Sequence, residues 1–290
     1  MAMEQFKPTL WSRRVIVNVD KALVYGKVAD QSYEGEIKFG NILKINEIGD
    51  ISVSDYTSTI TYSELDDAQL ELVIDAKKYF AFKLDDVDKA QANVTLMDKA
   101  MVKSGHAVRD TIDQALAAKY GDAGVTNSTN LGSSGTSRTI YSKEIIDVLT
   151  YMHRYLDEED APREGRWVIL PPWCIQYLVW ARVIAPGANM DGGGYANEPN
   201  SSVLNNGFVG PYLGFNIFMS NNVSNNGTQY RVMFGMPDAL AYAGQVEKIE
   251  ALRLEDYFAD AVRGLYVYGI KVVRPDRLGC AYLAAGGLTT

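Results

Sequence analysis

The 290-residue sequence is poor in the side chains that carry most enzyme chemistry. It has two histidines, His106 and His153, and two cysteines, Cys174 and Cys280. Four such residues dispersed along a chain do not make the clustered Cys/His set that zinc requires. No Gly-x-Ser-x-Gly elbow presents a nucleophile. Both cysteines lie in apolar surroundings (Trp173-Cys174-Ile175 and Gly279-Cys280-Ala281), which reads as two buried free thiols. No apolar run reaches the roughly eighteen residues that span a bilayer, so no membrane partner is expected. The first ten residues lack the basic-then-apolar order of a secretion signal. A surplus of positive charge is missing as well. The net charge of −8 argues against a sequence-reading nucleic-acid binder, which needs a basic face to displace counterions.

Acidic residues cluster at Asp66-Asp67, Asp85-Asp86-Val87-Asp88 and Glu158-Glu159-Asp160. The middle group reads as a helix start and the others as solvated loops, not as metal ligands. Asp191-Gly192-Gly193-Gly194 lacks the Gly-Lys-Ser/Thr ending of a phosphate loop and reads as a flexible loop. No catalytic residue, metal or cofactor follows from the sequence. The expectation is a protein that is not an enzyme.

What is present is a globular composition, 47% hydrophobic and 22% charged, able to bury a sizeable core. Residues 1–30 scatter Phe6, Leu10, Trp11 and Val15-Ile16-Val17 without a helical stripe, which predicts an extended arm that packs on something else. An N-terminal strand in the domain's own sheet is the other reading. From Ser32 to Leu84 the signal is β: Ile42 to Ile48, then Ile51 to Tyr56, then Leu70, Leu72 and Ile74, then Phe80, Phe82 and Leu84 at period two. From Asp85 to Lys119 the period changes. Val87, Ala90, Val94, Met97, Met101, Val108, Ile112 and Ala115 fall at steps suited to one helix face, interrupted once at Gly105. Asp85 or Asp86 would cap a helix of roughly 50 Å, and Gly121 and Gly124 would end it.

Residues 121–141 read as a Gly/Ser/Thr/Asn linker. Beyond it Ser142 would cap a helix carrying Ile145, Leu149, Met152 and Leu156. Arg166–Leu170 reads as a buried strand, and Pro171-Pro172 opens an apolar helix. Residues 187–227 are rich in Gly and Asn and read as long loops around short strands. The chain closes in β, at 239–243, 246–254, 264–273 and 278–284. The fold class is α+β.

An arm, a long hairpin, one very long helix, a linker and a compact body closing in strands is an order that resembles the major capsid proteins of tailed bacteriophages, which share the Hong Kong 97-type fold. Four segments carry the resemblance. They are Leu72-Val73-Ile74-Asp75-Ala76-Lys77-Lys78-Tyr79-Phe80-Ala81-Phe82-Lys83-Leu84-Asp85-Asp86-Val87-Asp88, Gly165-Arg166-Trp167-Val168-Ile169-Leu170-Pro171-Pro172-Trp173, Gly210-Pro211-Tyr212-Leu213-Gly214-Phe215 with Ser220-Asn221-Asn222, and Val273-Arg274-Pro275-Asp276-Arg277-Leu278.

The resemblance implies a division of the chain. Residues 1–31 would be an N-terminal arm and 32–84 an extended hairpin loop reaching over a neighbour. Residues 85–141 would be the spine helix and linker of a peripheral domain, and 142–245 an axial domain. Residues 246–272 would return as peripheral-domain strands, and 273–290 as the last axial strand and C-terminus. It also implies pentamers and hexamers of this chain in an icosahedral head, placed in the virion and assembled in the host cytoplasm. The implied partners are a separate scaffolding protein, since a hairpin starting near residue 32 leaves no room for a fused one, together with a portal and decoration or cement proteins. Packaged double-stranded DNA would be enclosed without sequence-specific contact, and an acidic wall suits that. Trp11, Ile42, Ile45, Ile51 and Tyr56 are the candidate inter-subunit residues. An encapsulin-type compartment shell or a soluble α+β enzyme are the alternatives.

Overall fold

A computed structural model describes residues 24–32, 42–48, 67–85, 96–126, 129–141, 144–181, 208–254 and 257–286. Period-two alternation gives the strands their pairing. β1 (Ile42–Ile48) and β2 (Asp67–Val73) form an antiparallel pair in which Ile42 faces Val73, Leu43 faces Leu72 and Ile45 faces Leu70. β3 (Ala76–Asp85) is an edge of a second sheet, completed by β10 (Ala259–Val272) in the centre and β9 (Leu240–Arg253) at the other edge. The sequence divides the β9 stretch into two strands, but the structure has one. A register shift at Leu265/Tyr266 of β10 absorbs the odd residue of β9 as a bulge, so the ladder continues through it.

The helical stripe begins later than the sequence suggests. Asp85, expected to cap the helix, is the last residue of β3, because the ladder to β10 keeps Leu84 opposite Asp260 and Asp85 opposite Ala259. Residues 86–95 lie outside the described ones. The helix α2 is described over Leu96–Ala117, about 33 Å at 1.5 Å per residue, and passes into a 3₁₀ turn at Ala118–Asp122. Met101, Val108, Ile112 and Leu116 are buried along one face. Gly105, read as a break in the stripe, is buried on the same helix between Met101 and Val108. Gly124 follows, with its N–H donated to the Pro275 carbonyl at 2.9 Å.

The described part of the expected linker is built into the body. Val125 bridges Gly279, Leu131 is fully buried, and β4 (Arg138–Ile140) runs parallel to β11 (Leu278–Ala285). These strands belong to a six-stranded mixed sheet, in the order β4-β11-β8-β5-β7-β6. Its other members are β5 (Trp167–Leu170), β6 (Phe208–Tyr212), β7 (Phe215–Met219) and β8 (Tyr230–Gly235). All four residues of β5 are buried, as expected of a strand covered on both faces. α3 (Glu144–Glu158) sets His153 edge-on to Phe215 of β7. α4 (Pro172–Trp180), opened by proline where a missing N–H is harmless, sets Trp173 against Tyr230 of β8. Ser142, the expected cap of α3, lies outside the described residues.

One apolar core runs from α2 and the inner face of the β3-β10-β9 sheet to α3, α4 and the six-stranded sheet. A smaller core is separate: Leu72, Ile74, Ala243 and Val267, with Leu43, Ile45 and Leu265 packed against it.

Candidate assembly surface

The small core explains how the β1–β2 hairpin is seated. Residues opposite one another in a ladder share a face. Leu43, Ile45, Leu70 and Leu72 therefore lie on one face, and Leu43, Ile45 and Leu72 join Ala243 and Val267 of the neighbouring sheet. The opposite face carries Ile42, Lys44, Glu71 and Val73, and Ile42 is 53% exposed. A two-stranded ribbon is marginal by itself. Here it rests on a few side chains at one end and leaves apolar groups uncovered on the other face.

The outer face of the β3-β10-β9 sheet continues beyond that seat. Phe80 and Phe82 turn into the main core, with Phe80 over Gly264, where no Cβ would fit. Alternation then turns Lys77, Tyr79, Ala81 and Lys83 outward, and Tyr79 is 81% exposed. Opposite them stand Leu265, Arg263 and Ala261 of β10, and beyond these Lys248, Glu250 and Leu252 of β9. Glu250 pairs with both Lys248 and Arg263, whose charges hold its carboxyl below the usual range. At the β9–β10 turn, Tyr257 is 61% exposed beneath the Lys83 ammonium, 4.5 Å from its ring centre, and Phe258 is 86% exposed. Uncovered aromatic side chains of this size mark contact sites more often than chance.

The segment entering from the N-terminal side is tied down before this surface. α1 (Tyr25–Val28) is a single helical turn whose leading N–H groups, from Val24 and Tyr25, are accepted by the two carboxylate oxygens of Asp113 on α2, at 3.4 and 3.2 Å. Two residues on, Asp30 exchanges backbone hydrogen bonds with β9: its N–H goes to Leu240 and its carbonyl accepts from Tyr242. Residues 24–31, read as the end of an arm that packs on something else, thus pack on the chain's own core, and Tyr25 is fully buried. Burial pushes the Asp113 carboxyl up to about 6, against the lowering effect of the two N–H donors, Asn222 and Arg109.

Arg166, His153 and the two cysteines serve packing. Arg166, expected in a strand, lies just before β5 with its guanidinium wholly buried. It donates to Asp157 Oδ1 at 2.6 Å and to the carbonyls of Ala161, Pro162 and His153 at 2.6, 2.8 and 3.2 Å. That fan closes the loop between α3 and β5. His153 lies 3.3 Å from Asp157, and burial lowers its pKa. Cys174 and Cys280 are free and buried, and burial raises both thiols, Cys280 to about 12. A thiol held protonated in this way is a poor nucleophile. Among the described residues no group of three or more His, Cys, Asp and Glu side chains is placed to hold a metal ion. No described helix is long and apolar enough to cross a membrane.

Of the five candidate contact residues, Trp11, Ile51 and Tyr56 lie outside the described residues. Ile42 sits on the uncovered face of the hairpin, while Ile45, three positions on, points the opposite way into the small core. The structure therefore separates the pair that sequence reasoning put together. Tyr79, Tyr257, Phe258 and Asp113 were missed. Tyr79 was findable: with Phe80 and Phe82 inward, period two puts Tyr79 outward. Asp113 was not, because its partners are nearly ninety positions away.

A family model described as phage capsid protein matches residues 69–283. No curated protein matches the sequence. A solved structure from Mycobacterium phage Che8 superposes with a TM-score of 0.69 at 24% identity, over 97% of this chain and 93% of that one. The capsid structure of the cyanophage P-SCSP1u does so at 0.67 and 16% identity, over 99% and 91%. A virus-like particle from Pyrococcus furiosus gives 0.57 at 13% identity, over 94% and 98%. At these identities the structural likeness is one of fold.

Proposed function

The chain belongs to the phage capsid protein family, and from that premise we propose that it is the repeating subunit of an icosahedral head enclosing double-stranded DNA. Copies make head-to-tail contacts that close into pentamers and hexamers, and these tile the shell. Residues 1–31 act as an arm, anchored on the chain's own core where Val24, Tyr25 and Asp30 bond to it, and 32–84 as a loop laid over a neighbour. Residues 85–141 and 246–272 form a peripheral domain, and 142–245 with 273–290 an axial one. A separate scaffolding protein, a portal and decoration or cement proteins complete the assembly, which takes place in the host cytoplasm. DNA is contained without base-specific contact, in keeping with a net charge of −8.

The observation that carries the reading is the β1–β2 hairpin. Leu43, Ile45 and Leu72 hold one end of it to the chain's own small core, while Ile42 is left 53% exposed on its other face. Burying a few hundred Å² of such surface on a neighbour, at roughly 25 cal/mol per Å², gives several kcal/mol before ordering costs. Repeated at every ring contact, that is enough for a firm shell whose errors still dissociate. The compartment-shell reading draws on the fold likeness to the Pyrococcus particle alone, whereas the family match covers residues 69–283 and favours the phage head.

The test is electron microscopy of the purified chain with and without its scaffolding protein, beside a variant lacking residues 40–66. Rings or closed shells are expected from the intact chain, and a folded monomer from the deletion. Shells of normal form from the deletion variant would refute the role given to the hairpin.

A further inference from the structure

We propose that Asn226-Gly227 is a deamidation site that the fold holds shut, with Asn225 as its guard. The inference stands apart from the shell-subunit reading. In an Asn-Gly pair no side chain stands in front of the attacking nitrogen, so the chain can react with itself. The Gly227 nitrogen loses its proton to hydroxide and bonds to Asn226 Cγ. The Cγ–Nδ2 bond breaks, and ammonia leaves with a proton returned by water. Water then opens the cyclic imide. Opening at Cγ leaves aspartate; opening at the main-chain carbonyl leaves isoaspartate, whose backbone is longer by a methylene. Both products carry a new negative charge.

Burial does not protect the pair. Asn225, Asn226, Gly227 and Thr228 are all exposed, on the turn that leads into β8, and open space surrounds the position a Gly227 Cβ would take. What protects it is that both reacting groups are tied. The Gly227 N–H donates to Asn225 Oδ1 at 3.2 Å, so the proton that must leave is held. Asn226 Oδ1 accepts the Gln229 N–H at 2.9 Å, which fixes the side-chain torsion that ring closure has to turn. Tight turns use asparagine and glycine for ordinary reasons, and Gly227 at φ +98° meets one of them. That role accounts for the residue types. It does not set a reaction rate at Asn226, and the tied nitrogen does.

The anchor behind the turn is firm. Gln229 is 5% exposed, its Nε2 donates to the Ser133 carbonyl at 2.8 Å, and its own carbonyl accepts the Asn226 N–H at 3.2 Å. Just beyond it the Arg231 N–H reaches the Ser224 carbonyl at 2.8 Å. An isoaspartate would have to fit its extra methylene between these fixed bonds. Modification is thus coupled to folding. A folded chain keeps Asn226, and a chain left unfolded converts it and then cannot close the same turn.

The test uses full-length, unassembled protein incubated at mildly alkaline pH, folded or in urea. Peptide mass spectrometry reads conversion of Asn226 and separates aspartate from isoaspartate. Asn206-Gly207, the other Asn-Gly pair of the chain, shows that the conditions in urea support the reaction. Both bonds must open before the ring closes, so folded wild type should convert Asn226 at least about tenfold more slowly than unfolded. Asn225→Ala should raise conversion in the folded protein about three- to tenfold, with faster exchange of the Gly227 amide and an unchanged thermal melt. Asn225→Asp, which keeps the acceptor oxygen, should stay slow on both readouts. Equal conversion in folded and unfolded wild type overturns the proposal. So does an Asn225→Ala variant in which the Gly227 amide is released and Asn226 converts no faster, since Asn225 then serves the turn alone.

Discussion

Asp113 should make the docking of residues 24–32 depend on pH in a direction opposite to most carboxylates. Its side chain is 3% exposed, and its two oxygens hold the N–H groups of Val24 and Tyr25. Burial raises its pKa from 3.8 to about 6. A carboxyl whose folded pKa is raised binds its proton more tightly in the docked state. Its contribution is fully favourable below the undocked value near 4 and is lost as pH rises through about 6. The full difference corresponds to ~3 kcal/mol, of which roughly 1 kcal/mol falls between pH 7 and pH 5. Docking should therefore tighten on acidification. Hydrogen exchange of the Val24, Tyr25 and Asp30 amides, corrected for intrinsic rate, should slow between about five- and tenfold over that interval in unassembled protein. His153 acts in the opposite sense, since burial lowers its pKa and stability is lost as pH falls through its ordinary range. The decisive quantity is thus wild type compared with Asp113→Asn, in which His153 is common to both. The asparagine variant keeps one acceptor, loses the titration, and should show no such slowing. Equal pH responses in the two proteins would refute the reasoning.

Three further outcomes follow from packing. Arg166→Ala should lower stability by about 3–5 kcal/mol in chemical denaturation, because two loop carbonyls and that of His153 in α3 lose their donor and Asp157 its buried partner. Arg166→Lys should recover only part of this, since one ammonium cannot reproduce the fan. Gly132→Ala should lose about 2 kcal/mol or more, as Gly132 has φ +77° and a Cβ there would meet the Tyr282 carbonyl and, at 2.8 Å, the Arg138 nitrogen. Gly135→Ala, with open space around it, should change the melt little and serves as the control. Leu72→Ala should loosen the hairpin seat by about 2–4 kcal/mol, seen as faster exchange of the Leu43 to Ile45 amides, while the main core melts almost as before.

Much of the architecture was legible from spacing. Phe80 and Phe82 at period two gave the inner face of β3; Met101, Val108 and Ile112 gave the buried stripe of α2; Pro171-Pro172 opened α4 where expected. Other readings gave way to contacts that no local pattern encodes. Asp85 looked like a helix cap, yet pairing with Ala259 makes it the end of a strand. The Gly- and Ser-rich stretch after α2 looked like a free linker, yet Leu131 and Ile140 are fully buried and β4 adds to the six-stranded sheet. Ile42 and Ile45 looked alike as apolar residues of one strand, and only the seat beneath the hairpin decides that one is exposed and the other packed.

Taken by itself, the sequence determined the α+β class, the main helices and strands, the scarcity of catalytic groups and the net negative charge. Each of these depends on composition or on a repeat of two to four residues, which acts within a single element. Tertiary structure alone decided that Asp113 holds the chain at Val24 and Tyr25, that Arg166 closes a loop from within the core, and that Lys77, Tyr79, Lys83, Lys248 and Arg263 form one face. The residues that meet at these places are separated by up to about 190 positions. Which distant segments come together is set by the burial available to the whole chain, and that quantity does not exist until the chain has folded.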